Sequence, residues 1–313
     1  MGLNDKKNAR FAVGALALLC LVLLFVGGPG PYALRTFRYA WGLGHLFCFS
    51  LWTFIYLQWR SGRPLLRTYA EALLLALVLG AVTELLQIGV AGREATWQDL
   101  GLDLLGSLLA LVMGGELKSQ LDRWRLWLVR IPVLLVVCWV LMPLARVVVD
   151  DLRAWSQFPL LAGFETRLEL GRWGGDSTRT LSDQYVYSGS RALRCELNTN
   201  RYSGVALKYF PADWSQYRSV RFHLFNPQSE QIELLFRIHD QHHWDNDSRY
   251  SDRFNTRLVF QPGWTKQEIS LAEVETAPRE RKMDLARIAG LILFVGKLEQ
   301  PLTFYLDEVQ LVR

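Results

Sequence analysis

Five apolar runs of membrane-crossing length fill the first half of this chain, at residues 11–27, 39–58, 69–90, 99–117 and 126–145. A helix needs about 20 predominantly apolar residues to cross the hydrocarbon of a bilayer. Inside lipid, backbone polar groups are satisfied only in helices or closed barrels. The runs therefore predict an α-helical membrane bundle of about five spans, with the lipid bilayer as its first partner. The mean hydropathy of the whole chain is only +0.10, so the apolar half must be joined to a polar one. A division at Asp150 separates them, giving domains at 1–150 and 151–313. The first carries 14 Lys+Arg against 9 Asp+Glu and the second 21 against 21. The basic excess lies beside the apolar runs, where it reads as membrane-flanking charge and not as a nucleic-acid surface.

Basic residues set orientation. Lys6, Lys7, Arg10, Arg60, Arg63, Arg67, Lys118, Arg123, Arg125 and Arg130 fall on one side of the five runs. Arg35, Arg38, Arg93 and Arg146 fall on the other. The asymmetry predicts a cytoplasmic N-terminus and an extracytoplasmic second domain, in a bacterial inner membrane. The first run lacks a small-residue cleavage site before "GGPGPYALR" and is expected to stay as a helix. Cysteines offer no metal spacing and no disulfide framework, and Cys195 in "ALRCEL" reads as a small core hydrophobe.

From residue 160 the period of the pattern changes to two. "SVRFHLF", "IELLFRIH" and "RFNTRLVF" alternate apolar and polar residues, and further strands fit "YSGSRALRCEL", "GVALKYF", "TKQEISL", "IAGLILFV" and "LTFYLDEVQLV". Turn sequences such as "FNPQS" and "QPGW" separate them. Short strands at this spacing predict an all-β two-sheet sandwich.

Polar residues interrupt the membrane half in "TELLQIGVAGREATWQD". Glu84 and Gln87 share a helix face, as do Asp99, Asp103 and Gly106. Thr96 and Asp99 have the form of a helix start. A mid-membrane acid costs about 2.5–3.5 kcal/mol on insertion scales, so these groups are expected to face inward as a polar cluster of Glu84, Gln87, Arg93, Asp99 and Asp103. The cluster reads either as structural glue between helices or as a binding or catalytic site. His45, in "WGLGHLFCF", either joins it or hydrogen-bonds a neighbouring helix. "TELLQ" followed by "GREATWQDLGLDLLGSLLALVMG" resembles the VanZ family over about residues 35–118, with Glu84, Gln87, Arg93, Asp99 and Gly106 at the family's positions. Asp103 stands where that family usually has Asn. The resemblance implies cell-envelope biology linked to glycopeptide resistance, without implying a reaction.

Residues 160–313 resemble the galactose-binding-like jelly rolls of carbohydrate-binding modules, through "GFE", "YSGSRALRCEL" and the closing "FYLDEVQLV". That resemblance implies a structural calcium ion held by Glu165 and Asp307. Strand alternation puts Arg221, His223, Arg237, His239, Asn255 and Arg257 opposite the aliphatic side, as one basic, donor-rich face suited to an acidic glycan or a lipid-linked sugar phosphate. Its histidines, if unperturbed, would titrate near pH 6.5 and strengthen binding below it. In "HDQHHWDND" the Asn and Asp content favours a loop, and Trp244 and Tyr250 near it can stack on a sugar ring. The resulting expectation is an envelope membrane protein that recognises an envelope glycan, a lipid-linked precursor or a glycopeptide-type antibiotic. Two alternatives stay open: an enzyme on a lipid-linked glycan, with Glu84, Asp99 or Asp103 as acid/base groups, and a structural component of an exopolysaccharide export complex.

Overall fold

The computed structural model describes residues 3–30, 33–60, 62–90 and 96–313, with side chains from residue 12 onward. The chain divides into two compact units, Met1–Ala145 and Arg146–Arg313. Helices occupy all five apolar segments: α1 (Leu3–Phe25), α2 (Arg35–Gly42) and α3 (Gly44–Trp59), α4 (Leu65–Gln87), α5 (Trp97–Met113), a short α6 (Gly115–Gln120) and α7 (Arg123–Gln157), whose residues from Arg146 on belong to the second unit. Among the described residues, α4 and α7 are long and apolar enough to cross a membrane, and the α2–α3 pair, bent by 41°, is a third if it forms one span. Of the other two expected spans, α1 is 23 residues long, with Ala12–Phe25 as its described apolar part, and α5 has 17 residues.

Small residues let α5 approach its neighbours. A Cβ on Gly106 would sit 2.3 Å from the Leu46 carbonyl oxygen of α3, and one on Gly80 of α4 would sit 2.6 Å from an Asp103 carboxylate oxygen. Ser50 donates to the Gly106 carbonyl at 2.9 Å, and Thr53 donates to Ser107 at 2.9 Å. Close backbone approach with hydroxyl cross-links is the packing mode of helices that lack an apolar driving force between them. Polar residues are buried here among apolar ones, including Thr53, Thr68, Thr83, Glu84, Gln87 and Asp103, whereas Leu74, Leu79, Leu85, Leu128 and Leu135 are exposed.

The second unit is a jelly roll. Its strands are β1 (Leu160–Ala162), β2 (Trp173–Gly174), β3 (Ser177–Ser182), β4 (Ala192–Leu197), β5 (Ser203–Leu207), β6 (Ser219–Asn226), β7 (Ile232–Asp240), β8 (Phe254–Phe260), β9 (Gly263–Ser270), β10 (Ile288–Val295) and β11 (Leu302–Val312). Two further short helices are α8 (His242–Asp245) and α9 (Leu271–Thr276). One sheet runs β3-β4-β11-β6-β9, with β1 paired to β11; the other runs β2-β5-β10-β7-β8. The eight strands from β4 to β11 thus place first, eighth, third and sixth in one sheet and second, seventh, fourth and fifth in the other. This interleaving is the double Greek key of a jelly roll. Inward residues alternate along each strand, and Phe222 of β6 stacks on Phe236 of β7 between the sheets, with centroids 5.4 Å apart. Cys195 is fully buried in this core.

Several buried charges in this unit are paired. Arg172, in a 3-10 turn at Glu169–Arg172, donates to both carboxylate oxygens of Asp150 and to the Leu161 carbonyl. Glu169 accepts from the amides of Gly163, Phe164 and Thr166, which holds Phe164 at φ 59. Arg281 bridges Asp240 and Asp252.

Candidate functional site

The helical unit assembles its polar residues at the ends of three helices. His45 lies in the first turn of α3, Glu84 in the last turn of α4, and Asp99 in the first turn of α5 with Asp103 one turn on. His45 Nδ1 lies 2.8 Å from Asp103 Oδ1, and its Nε2 lies 3.8 Å from Glu84 Oε1. Thr96 organises the rest. It caps α5 by accepting from the Asp99 amide at 3.1 Å, its hydroxyl donates to Asp99 Oδ2 at 2.9 Å, and its amide donates to Glu84 Oε2 at 2.7 Å. Gln87 turns away from this group and donates to the Leu24 carbonyl of α1 at 2.7 Å, so its role is to tie helices. Arg93 lies outside the described residues. The histidine that completes the cluster is 58 residues from its partner Asp103, a pairing that helical spacing does not reveal.

In the jelly roll, the expectation of one basic face is corrected. β6 belongs to one sheet and β7 and β8 to the other, so Arg221 and His223 lie on a different surface from Arg237, His239, Asn255 and Arg257. The β6–β7 connection is an arch between sheets and not a hairpin within one. Alternation distinguishes inside from outside, but it does not say which sheet a strand joins.

On the first sheet, acids from neighbouring strands compensate the basic residues. Arg221 pairs with Glu268 of β9 at 3.1 Å, and His223 Nδ1 lies 3.3 Å from Glu308 of β11. The His223 ring stacks on Tyr187 at 3.5 Å. Burial lowers its pKa; Glu308 opposes that effect, and Arg221 and Lys266 add to it.

On the second sheet, residues across the strands form a transverse row: Gly174, Ala206, Ile292, Arg237 and Asn255 are successive register partners. Small residues at one end leave a trough of about 460 Å³, bounded by Tyr202, Lys208, Arg237, Arg253, Ile292 and Phe294. Arg237 makes no hydrogen bond or ion pair among the described residues, and the Nε atoms of Arg237 and Arg253 are both buried without a partner. Burial, reinforced by the charge of Arg253, lowers the Arg237 pKa to about 10, so it is cationic at neutral pH. Arg253 lies over the Tyr250 ring at 5.2 Å. Asp176 also lines the trough, with its carboxylate tied up by the amides of Asn198 and Asn200.

The remaining expected residues of this sheet and its adjoining loop have unequal roles. His239 is 3% exposed; its ring lies over Gly290, where a Cβ would come within 2.5 Å, and meets the Trp244 ring at 5.8 Å. Burial first, and Arg237 next, push its pKa down to about 3, so the expected titration near pH 6.5 does not apply to it. Asn255 spends its donors on the Tyr250 and Arg253 carbonyls and so fixes the loop. Arg257 pairs with Glu233 at 3.0 Å. Trp244 and Tyr250 are exposed, Trp244 from the one-turn helix α8 where a loop was expected. Arg253, Tyr202 and Lys208 were missed. Arg253 has the same parity as Asn255 in "RFNTRLVF", which was the available signal.

Glu165 and Asp307 do not converge on a cation. Glu165 accepts from the Ser190 amide and hydroxyl at 2.9 and 2.6 Å, and Asp307 Oδ2 accepts from the Tyr187 and Ser188 amides at 2.8 and 3.0 Å. Calcium requires a shell of oxygen ligands, whereas the partners of these two carboxylates are N–H and O–H donors. The pair fits the pinning of the 187–191 loop and does not fit a calcium site.

No protein-family model matches the chain, and no curated protein sequence matches it. Three solved structures are similar to its second half. The family 11 carbohydrate-binding module from Clostridium thermocellum, in complex with a β-1,3-1,4-mixed-linked tetrasaccharide, is 16% identical, with TM-score 0.38 and coverage of 49% of this chain and 94% of that one. An exo-β-agarase is also 16% identical with TM-score 0.38, covering 49% of this chain and 24% of that one. A xylan-binding domain from family 22 is 15% identical, with TM-score 0.32 and coverage of 48% and 90%. These are similarities to β-sandwich carbohydrate-binding folds.

Proposed function

We propose that this chain is a bacterial cell-envelope membrane protein whose jelly roll captures an acidic glycan or a phosphate-linked sugar in the second-sheet trough. The observation that carries the reading is the pair Arg237 and Arg253, both partly buried, with desolvated Nε donors that no protein group engages. Such donors are costly unless a ligand anion supplies the missing acceptors, and guanidinium forks match carboxylate and phosphate. Tyr202, Trp244 and Tyr250 offer ring faces for the sugar. Support for the membrane setting comes from the exposed leucines and buried polar groups of the helical unit and from its helices of crossing length. The ten-to-four distribution of basic residues supports a cytoplasmic N-terminus and an extracytoplasmic jelly roll. Glu84, Gln87, Asp99 and Gly106 keep the VanZ-like order, in line with an envelope role.

Calorimetric titration of the full chain in detergent tests the reading with acidic and neutral envelope oligosaccharides. Acidic ligands should bind more tightly, and added salt should weaken them because exposed charges are screened. Equal, salt-insensitive binding of both classes would overturn it. A C-terminal alkaline phosphatase fusion should be active in cells; an inactive fusion with normal membrane levels contradicts the orientation.

A further inference from the structure

We propose that the helical unit binds a divalent first-row transition-metal ion between His45, Glu84 and Asp99. One ligand atom from each lies within 4.8 Å of the others. Ligand atoms sharing one ion at bond lengths of about 2.0–2.2 Å stand roughly 3–4 Å apart, so the set closes on an ion with small side-chain movements. The three come from three different helices, and two are fixed by Thr96, which engages one oxygen of Glu84 and one of Asp99.

The independent evidence is the imidazole. His45 is 2% exposed, and its Nδ1 contacts the Asp103 carboxylate at 2.8 Å. In the neutral imidazole, proton donation from Nδ1 to Asp103 leaves a lone pair on Nε2. That atom is buried without a hydrogen-bond partner and faces Glu84 Oε1 at 3.8 Å, which is also buried and unpartnered. Two electron-rich atoms facing each other away from water repel, and a cation between them removes the repulsion. A carboxylate on the far nitrogen of a ligating histidine is the usual second-shell support of a metal site, and Asp103 is placed as that positioning residue. One imidazole with two carboxylates suits zinc, manganese or iron better than magnesium or calcium, which prefer all-oxygen shells. The inference is independent of the glycan reading.

The test uses the full chain, purified in detergent, stripped with chelator and dialysed against Zn²⁺ or Co²⁺. Elemental analysis should find one ion per chain, and Co²⁺ should show an absorption band from nitrogen and oxygen ligands. His45→Gln and Glu84→Gln should each lower Zn²⁺ affinity at least about 100-fold. Asp103→Asn should lower it about 10- to 100-fold and shift the Co²⁺ band. Gln87→Ala, on the same helix as Glu84 but bonded to α1, should keep full metal content and so controls for folding. X-ray absorption on the wild-type zinc form should show a single imidazole, a readout that needs no variant. Wild-type binding no tighter than that of His45→Gln, or a zinc shell without imidazole, would overturn the proposal.

Discussion

In the helical unit Leu74, Leu79 and Leu85 face outward while Asp103 and Gln87 are buried; in the jelly roll Leu193, Leu224 and Phe236 are buried while charged side chains line the outer faces. Buried charge occurs in two states, paired and open. Asp150, Arg172, Glu169 and Asp240 in the jelly roll have their hydrogen-bonding capacity met by protein groups. His45, Glu84 and Asp103 each keep a buried polar atom without a partner. Saturated buried charge fastens the fold, and open buried charge marks a candidate site. The same distinction separates the two jelly-roll faces, since Arg221 is paired and Arg237 is not.

The strongest attack on that comparison is Arg172→Met. It strips the guanidinium from a 1%-exposed Asp150, and breaking such a pair costs about 3–5 kcal/mol. Chemical denaturation should show this loss, and glycan binding by the remaining folded fraction should be normal. A change below about 1 kcal/mol would mean that the pair is no fastening. Next in size, Gly106→Val drives a side chain into the Leu46 backbone. It should lower the thermal midpoint of the helical unit by an overpacking cost of about 1–3 kcal/mol, with no effect on the jelly-roll transition.

Arg237→Ala should weaken binding of an acidic oligosaccharide by about 1.5–3 kcal/mol, the range for hydrogen bonds to charged groups, or roughly 10- to 150-fold. Arg221→Ala should leave it within twofold. Equal losses at both positions would erase the distinction between the faces.

The smallest effect is in pH. His239 has a folded pKa lowered to about 3 against an ordinary value of 6.5. Between those values the unfolded chain binds the proton and the folded chain does not, so stability falls as pH drops through that window. The slope from this group is at most about 1.4 kcal/mol per pH unit. Denaturation midpoints at pH 7 and pH 5 should differ, and His239→Gln should reduce the difference. His223 and His243, also lowered by burial, act in the same direction.

Local pattern carried much of this molecule. Period two in "IELLFRIH" located β7 and its inner face, the Thr96–Asp99 pair marked the start of α5, and the small, apolar context of Cys195 marked a core residue. What remained illegible depends on partners distant in sequence. His45 gains its meaning from Asp103 and Glu84, and the paired state of Arg221 depends on Glu268, 47 residues away. Glu165 and Asp307 suggested a cation, but the backbone amides of residues 187–191 decide what they hold. The separation of β6 from β7 rests on an arch that apolar alternation does not encode.

The central place of β11, between β4 and β6, sets the timing of folding during synthesis. The strands on either side of it are made some 80 to 110 residues earlier, yet they cannot join into one sheet until residues 302–312 have left the ribosome. Until then β4 and β6 each expose an unpaired edge, a template for wrong pairing. The jelly roll is therefore an all-or-nothing product of late chain elongation, and a nascent chain stopped near residue 300 should be protease-sensitive across the whole unit.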